Sequence, residues 1–552
     1  MSAAQTIGWL FDGQRGPGGR LIPRWLFLRA LGLIYFSAFF SLVFQIRGLI
    51  GPEGILPAAS YLQQLSKALG HWERLWYAPT LLWLGGGSHL LLGLCWVGML
   101  ASVALVLNMW PRGMLVICFV CFLSFIGGAQ DFSSYQSDGM LLEAGFISLF
   151  FAPSGFLPGL GRLHPPSRVA LFLLQWEWFR IYFQSGAVKL LSGDLEWRHF
   201  TAMDDYYQNG PLPTWIGWYV QQLPHKFHAF TVGATLVMEL GLIWMMFFPR
   251  RWRIVLFFMV TIWQAIVILT ANYAFLNYLV LVMGILLLDD SFIARVLPSG
   301  WKVKAVDRGT GDLVLAAEPH AESNGVPPAT VASSGNIPRA AWRENVWHHW
   351  RAIKLAVSAV MLTWIFYATT AELILMFARV PLPTSPIVAL EPFRIANQYG
   401  LFAVMTQGRY EIEFQGSFDG QNWSAYPFRY KPQALNEAPR IYAPYQPRFD
   451  WNLWFASLSS WRESPIVPNT EVRLLANDKD VLSLFAGNPF SSRPPQQVRA
   501  VLWQYWFTTP AEKRATGNWW RREYLGLYAP TLTCEPDGNI KVTEWPNVAP
   551  RQ

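Results

Sequence analysis

The chain has 552 residues, enough for several cores, and is 53% apolar and 16% aromatic. Charged residues make up only 14%, well under the ~25% of an ordinary soluble domain, so the composition points to a polytopic membrane protein. The formal charge of +8 does not signal nucleic acid: no Lys/Arg cluster is interleaved with stacking aromatics, and the basic residues instead flank apolar runs, where they set membrane orientation.

Residues 1–24 are polar and Gly-rich and read as a cytoplasmic segment. The apolar run that follows is too long for a signal-peptide core, so it stays as an anchor. About nine stretches are long enough to cross a bilayer, which takes ~20 apolar residues as a helix: 25–46, 84–107, 114–130, 139–152, 169–191, 227–248, 254–271, 275–289 and 355–378. Cys118 and Cys121 form a CxxC inside the third, away from the cations and water that a reactive thiolate needs, and read as packing residues. The fourth stretch is short and pairs with the third as a re-entrant or kinked hairpin. The polar segment between them, 130–138, cannot face lipid and must line a cavity or reach an interface.

Nine crossings with the N-terminus inside put Arg15, Arg20, Arg24, Arg112, Arg162, Arg168, Arg250, Arg251 and Arg253 on the cytoplasmic side, in line with the positive-inside rule. The helical domain then covers 25–290, a cytoplasmic Ala/Ser/Gly/Pro-rich linker covers 291–350, and 351–378 is the last transmembrane helix. Residues 379–552 form an exported, strand-centred α+β domain. In that domain Tyr410 to Phe414 alternates as a half-buried strand, 417–422 is turn chemistry, Trp423 to Tyr430 returns as its partner, and Val498 to Phe507 is a further strand. Phe449 to Leu458 and Val467 to Phe485 read as partly helical.

The candidate functional residues are the polar groups inside apolar runs, because a charge there is costly unless it finds a partner or a wet cavity. Glu177, Arg180 and Gln184 share one helical face at i, i+3 and i+7, so Glu177 and Arg180 can pair. Lys189, near the outer end of the same span, either snorkels to the interface or points inward as a catalytic or ligand-binding group. Glu239 sits mid-span on a stripe with His228 and Thr235 and needs Arg180, Lys189 or water. The small pair Gly186-Ala187 permits close helix approach, which favours the inward placement of Lys189. Gln130, Asp131, Asp138 and Glu143 add polar groups around the third and fourth stretches, and Gln264, Asn272 and Asn277 add neutral donors. No zinc spacing, Walker loop, nucleophile elbow or dinucleotide fingerprint occurs, so no metal or cofactor is expected and no catalytic residue stands out beyond the candidates Lys189 and Glu239.

Several long motifs in fixed order resemble the lipase maturation factor family. They are Gln130-Asp131-Phe132 with Leu141 to Phe146, the span through Lys189 into Asp194-Leu195-Glu196-Trp197-Arg198, Met203 to Tyr207, and Asn272 to Asn277 with Leu287 to Asp290. In the soluble part, Tyr430-Lys431-Pro432 and Ala443 through Arg448 to Trp451 are similar to the family's C-terminal domain. Departures fall at Ser137, Asp205-Tyr206-Tyr207 and Ala274. The resemblance implies a non-enzymatic membrane protein that helps exported clients such as lipases reach an active fold, in contact with membrane lipid. It implies the endoplasmic reticulum membrane for a eukaryotic member and the inner membrane for a bacterial one, which the lean loops suggest. A fainter likeness, Ser185-Gly186 through Lys189-Leu190 to Trp197, is to the membrane enzymes that carboxylate glutamate with vitamin K. It carries the alternative of an enzyme or carrier acting on a lipid or quinone-like ligand in the polar interior.

Overall fold

The computed structural model describes residues 3–12, 16–296, 339–535 and 537–546. Helices occupy each of the nine apolar stretches: α1 (Leu21–Val43), α2 (Ser88–Val106), α3 (Pro111–Ile126), α4 (Gln136–Phe151), α5 (Arg168–Leu191), α6 (His225–Phe247), α7 (Arg250–Thr270), α8 (Leu276–Leu287) and α9 (Arg339–Phe377). Among the described residues only five are long and apolar enough to cross a membrane by length and composition: α1, α2, α6, α7 and α9 from Ala352. The count of nine spans is corrected to that extent. Pro111 opens α3 and leaves it short of a full crossing, α4 has 16 residues, and α5 carries the charged stripe that lowers its hydropathy. Most of the expected linker, residues 297–338, lies outside the described residues.

Helix ends gather at two poles. At the first, Arg20 donates to the Leu286 and Leu288 carbonyls, Arg24 to those of Leu160, Gly161 and His164, and Arg112 to Ala152 O at 2.7 Å. The Asp290 carboxylate accepts from the N–H groups of Leu21 and Ile22, and Arg250 pairs with Asp289. These contacts join the start of α1, the α2–α3 turn, the α4–α5 connection, the α6–α7 turn and the end of α8. The second pole is made of the opposite helix ends, and the C-terminal domain sits on it.

That domain is one antiparallel sheet of β1 (Arg409–Ser417), β2 (Trp423–Ala425), β3 (Gln497–Phe507), β4 (Trp520–Leu527), β5 (Thr531–Cys534) and β6 (Ile540–Glu544). Its order is β2-β1-β3-β5-β6, with β4 also paired to β3. Helices α10 (Arg448–Ser457) and α11 (Ile466–Leu475) pack on β1 and β3. The inward row Ile412, Phe414, Ala500 and Leu502 is fully buried. The returning strand is shorter than the expected 423–430. Pro427 has no N–H to extend the ladder, and Phe428 N–H instead donates to Gln433 Oε1. β1 is buried on both faces, because Glu411 is enclosed with Arg409 and with Lys431, the latter at 2.7 Å. β4, β5 and β6 have no counterpart in the sequence reading.

Candidate functional site

The polar stripe of α5 is not an open cavity. Residues 395–406, which follow α9 toward β1, run along it as a strap of irregular chain with a turn at Leu401–Phe402. Tyr399 N–H donates to Gln184 Oε1 at 3.0 Å, and Leu401 N–H to Ser185 Oγ at 3.2 Å. Ser192 Oγ donates to Ala403 O at 2.8 Å, and the strap continues past the helix end, where Met405 N–H reaches Asp194 Oδ2. An irregular chain has donors and acceptors that no helix or sheet satisfies, and a buried backbone group must find a partner. The stripe supplies them from Gln184, Ser185, Lys189 and Ser192.

At the deep end of the strap, Arg180 pairs with Glu143 of α4 and donates to Asn397 O at 2.6 Å. Glu143 Oε2 also accepts from Asn397 N–H, Asn397 Nδ2 and Tyr399 Oη, at 3.1, 3.0 and 2.9 Å. The expected Glu177–Arg180 pair does not form. The guanidinium crosses to the neighbouring helix, and Glu177 is left with the Tyr399 hydroxyl at 3.4 Å. Arg180 lies three turns inside the end of α5, ~16 Å at 1.5 Å per residue, so the strap runs along the helix to that level, with Ile395, Ala396 and Tyr399 buried and Gln398 exposed.

Lys189 points inward and is buried. Its ammonium meets both Glu239 oxygens, at 3.0 and 2.8 Å, together with Leu401 O at 3.1 Å and Ser185 O at 3.3 Å. Glu239 is delivered by the widened turn Val237–Gly241 of α6. Gly186 permits the approach: a Cβ there would lie 2.8 Å from that of Glu239. An ammonium so enclosed has no acceptor-free face for a substrate, which argues for a clamp and not a base. His228 is elsewhere, buried against the Tyr207 and Phe227 rings.

The second contact region is the polar segment between α3 and α4. Arg448, the first residue of α10, enters it fully buried and forks onto Asp138 at 2.7 and 2.8 Å. The same guanidinium donates to Phe132 O at 2.7 Å and lies over the Phe125 ring. A bidentate guanidinium–carboxylate pair of this kind is among the stronger polar contacts. Gln45, just past the end of α1, accepts from Arg448 N–H and donates to Gln446 O. Asn272, past the end of α7, accepts from Tyr442 N–H at 2.7 Å and donates to Arg440 O at 2.8 Å.

The sequence candidates therefore divide. Asp138, Glu143, Glu177, Arg180, Gln184, Lys189 and Glu239 are buried where the two domains meet. Gln130 is peripheral and donates to Leu56 O at 3.3 Å. Asp131 is exposed at the pole on a single tight turn. Among the neutral donors, Gln264 bonds Tyr182 Oη at 2.6 Å. The residues missing from the sequence reading are Asn397, Tyr399 and Arg448. Only Arg448 left a trace, as a charge within the aromatic run 445–451. Cys118 and Cys121 are buried with the α2–α3 packing, and no group of His, Cys, Asp and Glu among the described residues is arranged to hold a metal ion.

The comparisons follow this two-part construction. The family model described as the lipase maturation factor transmembrane domain matches residues 22–295, and that of the lipase maturation factor C-terminal domain matches 395–530. The chain is 33% identical to lipase maturation factor 2 of Gallus gallus, an alignment covering 93% of this chain and 81% of that protein. This chain belongs to the lipase maturation factor family. It is also 31% identical to lipase maturation factor 1 of Bos taurus, over 96% of this chain and 92% of the relative, and 30% identical to lipase maturation factor 2 of Homo sapiens, over 93% and 83%. No solved structure matches. The second family match opens at the strap, so family membership takes in both halves of the buried seam.

Proposed function

We propose that this protein is a polytopic membrane maturation factor that helps exported proteins, lipases among them, reach an active fold. In this reading all nine helices α1 to α9 are membrane-embedded, the arginine-rich pole faces the cytoplasm, and residues 379–552 are presented to clients on the other side. The observation that carries it is the likeness to lipase maturation factors along both domains, joined by a seam that uses the interior charges for assembly. Asp138, Glu143, Arg180, Gln184, Lys189 and Glu239 act as groups that seat the strap and α10, a role that needs no small ligand. The lipid or quinone alternative is not favoured, because the α5 stripe is occupied by the chain itself.

The test is the quality of exported lipase with and without this protein. In cells lacking it, lipase activity per mass of lipase in the exported fraction falls while the mass exported changes less. An unchanged specific activity for every exported lipase would overturn the reading. Orientation is checked separately: a Cys placed at Gly420 reacts with a membrane-impermeant maleimide from the exported side, and labelling only from the cytoplasmic side reverses the assignment.

A further inference from the structure

Beside the seam lies a cavity of about 500 Å³ between the outer end of α1 and the C-terminal domain, lined from α1 by Phe40 and Phe44 and from the domain by Arg429, Tyr430, Tyr445 and Asp450. That volume is in the ~300–1,000 Å³ range of small-molecule sites. The burial of its lining gives it a direction. Phe40, Phe44 and Arg429 are exposed and form the rim, whereas Phe449 and Asp450, only 1% and 2% exposed, form the inner end. Tyr430 and Tyr445 stand between, their rings 5.4 Å apart.

The chemistry changes along that direction. At the inner end Asp450 Oδ1 accepts from Tyr430 and Lys431 N–H at 3.4 and 3.3 Å, and no hydrogen bond from a described residue reaches Oδ2. The nearby Lys431 ammonium is engaged by Glu411 at 2.7 Å and by Ile412 O, so it does not close the acid off. An acid among aromatic rings is the arrangement that takes a quaternary or primary ammonium. At the rim, Arg429 donates Nε and Nη2 to Ser483 O, while Nη1 has no hydrogen bond to a described residue and is suited to an oxygen anion. Outward from the rim, Phe44, Phe40 and Phe36 follow one another along α1 with centroids 5.0 and 5.8 Å apart. They form an apolar lane that leads from the cavity along a helix long and apolar enough to cross the membrane.

Cation site, anion site and acyl lane thus occur in the order ammonium, phosphodiester, hydrocarbon. We propose that the cavity binds the headgroup of a zwitterionic membrane phospholipid, with its ammonium beside Asp450 among the Tyr430, Tyr445 and Phe449 rings and its phosphodiester at Arg429. A lipid held there spans α1 and the C-terminal domain and ties the domain's position to the surrounding bilayer.

The experiment uses the full-length protein reconstituted in nanodiscs of equal parts phosphatidylcholine and phosphatidylglycerol, extracted in mild detergent, with retained lipid read by native mass spectrometry. The expected result is one phosphatidylcholine kept per chain, enriched over phosphatidylglycerol by roughly fivefold or more, as ~1 kcal/mol of ammonium–aromatic attraction gives. Asp450→Asn abolishes the enrichment, whereas Arg429→Gln lowers retention of both lipids, because both carry the phosphodiester, while thermal melting shows each variant folded. Phe44→Ala, at an exposed rim position, also lowers retention of both lipids without touching the domain core. An excess of free phosphocholine does not displace the lipid, since the lane contributes to binding. Equal retention of the two lipids, enrichment that survives Asp450→Asn, retention unchanged by Arg429→Gln and Phe44→Ala, or displacement by free phosphocholine would overturn the proposal.

Discussion

The two poles of the helical domain handle arginine in opposite ways. At the arginine-rich pole, Arg20, Arg24 and Arg112 donate to backbone carbonyls at neighbouring helix ends, so the helices complete one another. At the other pole the charges are deeper and ionically matched. Asp138 is answered by Arg448, and the Glu143–Arg180 pair is completed by Asn397 and Tyr399. One pole is a finished surface, and the other is half of an interface. A carbonyl that loses its arginine can turn to water, whereas a buried carboxylate that loses its partner cannot.

That contrast orders the expected effects. Arg448→Leu strands Asp138 and is the most damaging change, on the order of 3–5 kcal/mol. Adding Asp138→Leu restores part of the loss, read as monodisperse yield and melting temperature in detergent. If the double variant is no better than the single, the pair does not hold the domain. Arg180→Leu costs about 2–3 kcal/mol, less because Glu143 keeps Asn397 and Tyr399 as donors. The double change with Glu143→Gln again recovers stability, whereas Glu177→Gln does not, and recovery by Glu177→Gln would reassign the pair.

A carboxyl buried wholly within the C-terminal domain gives a third measure. Glu471 on α11 is fully buried, and desolvation pushes its carboxyl well above the usual range. A raised folded value means that its contribution is intact below the unfolded value of ~4.3 and is lost as pH rises toward the folded one. Glu471→Gln is therefore more stable than the wild type at pH 8, by up to ~1.4 kcal/mol per unit of displacement, and the two converge near pH 4.5. A gap independent of pH would place the effect in packing. The smallest change belongs to the finished pole: Arg112→Gln should cost about 1 kcal/mol or less and leave strap and clamp untouched. A loss comparable to that of Arg448→Leu would erase the distinction between the poles.

The sequence revealed one side of the interface far better than the other. Asp138, Glu143, Arg180 and Lys189 are conspicuous because each interrupts an apolar run, and burial makes an interruption costly. Their partners are not conspicuous. Asn397 and Tyr399 sit in an irregular segment that has no helical or alternating period to mark it, and polar residues in a soluble-looking stretch raise no question. Glu177 and Arg180 were paired by helical spacing, which sees only one helix; the carboxylate that won is on α4, 37 positions away. Asp131 was grouped with the interior although its turn faces out. The sheet was legible where alternation is strong, in β1 and β3. It was not legible in β4, where Arg521, Arg522 and Glu523 stand in succession and break the alternation.

The strap also imposes an order in time. Gln184 and the Tyr399 that completes it are 215 residues apart, and at ~5–20 residues per second of synthesis the gap is roughly ten to forty seconds. Through that interval α4, α5 and α6 must already be inserted with Glu143, Arg180, Lys189 and Asp138 awaiting their partners, until α9 is threaded and the strap follows it. A factor concerned with the maturation of other proteins is thus itself slow to mature, and its own nascent chain is exposed at the stripe where its two halves finally meet.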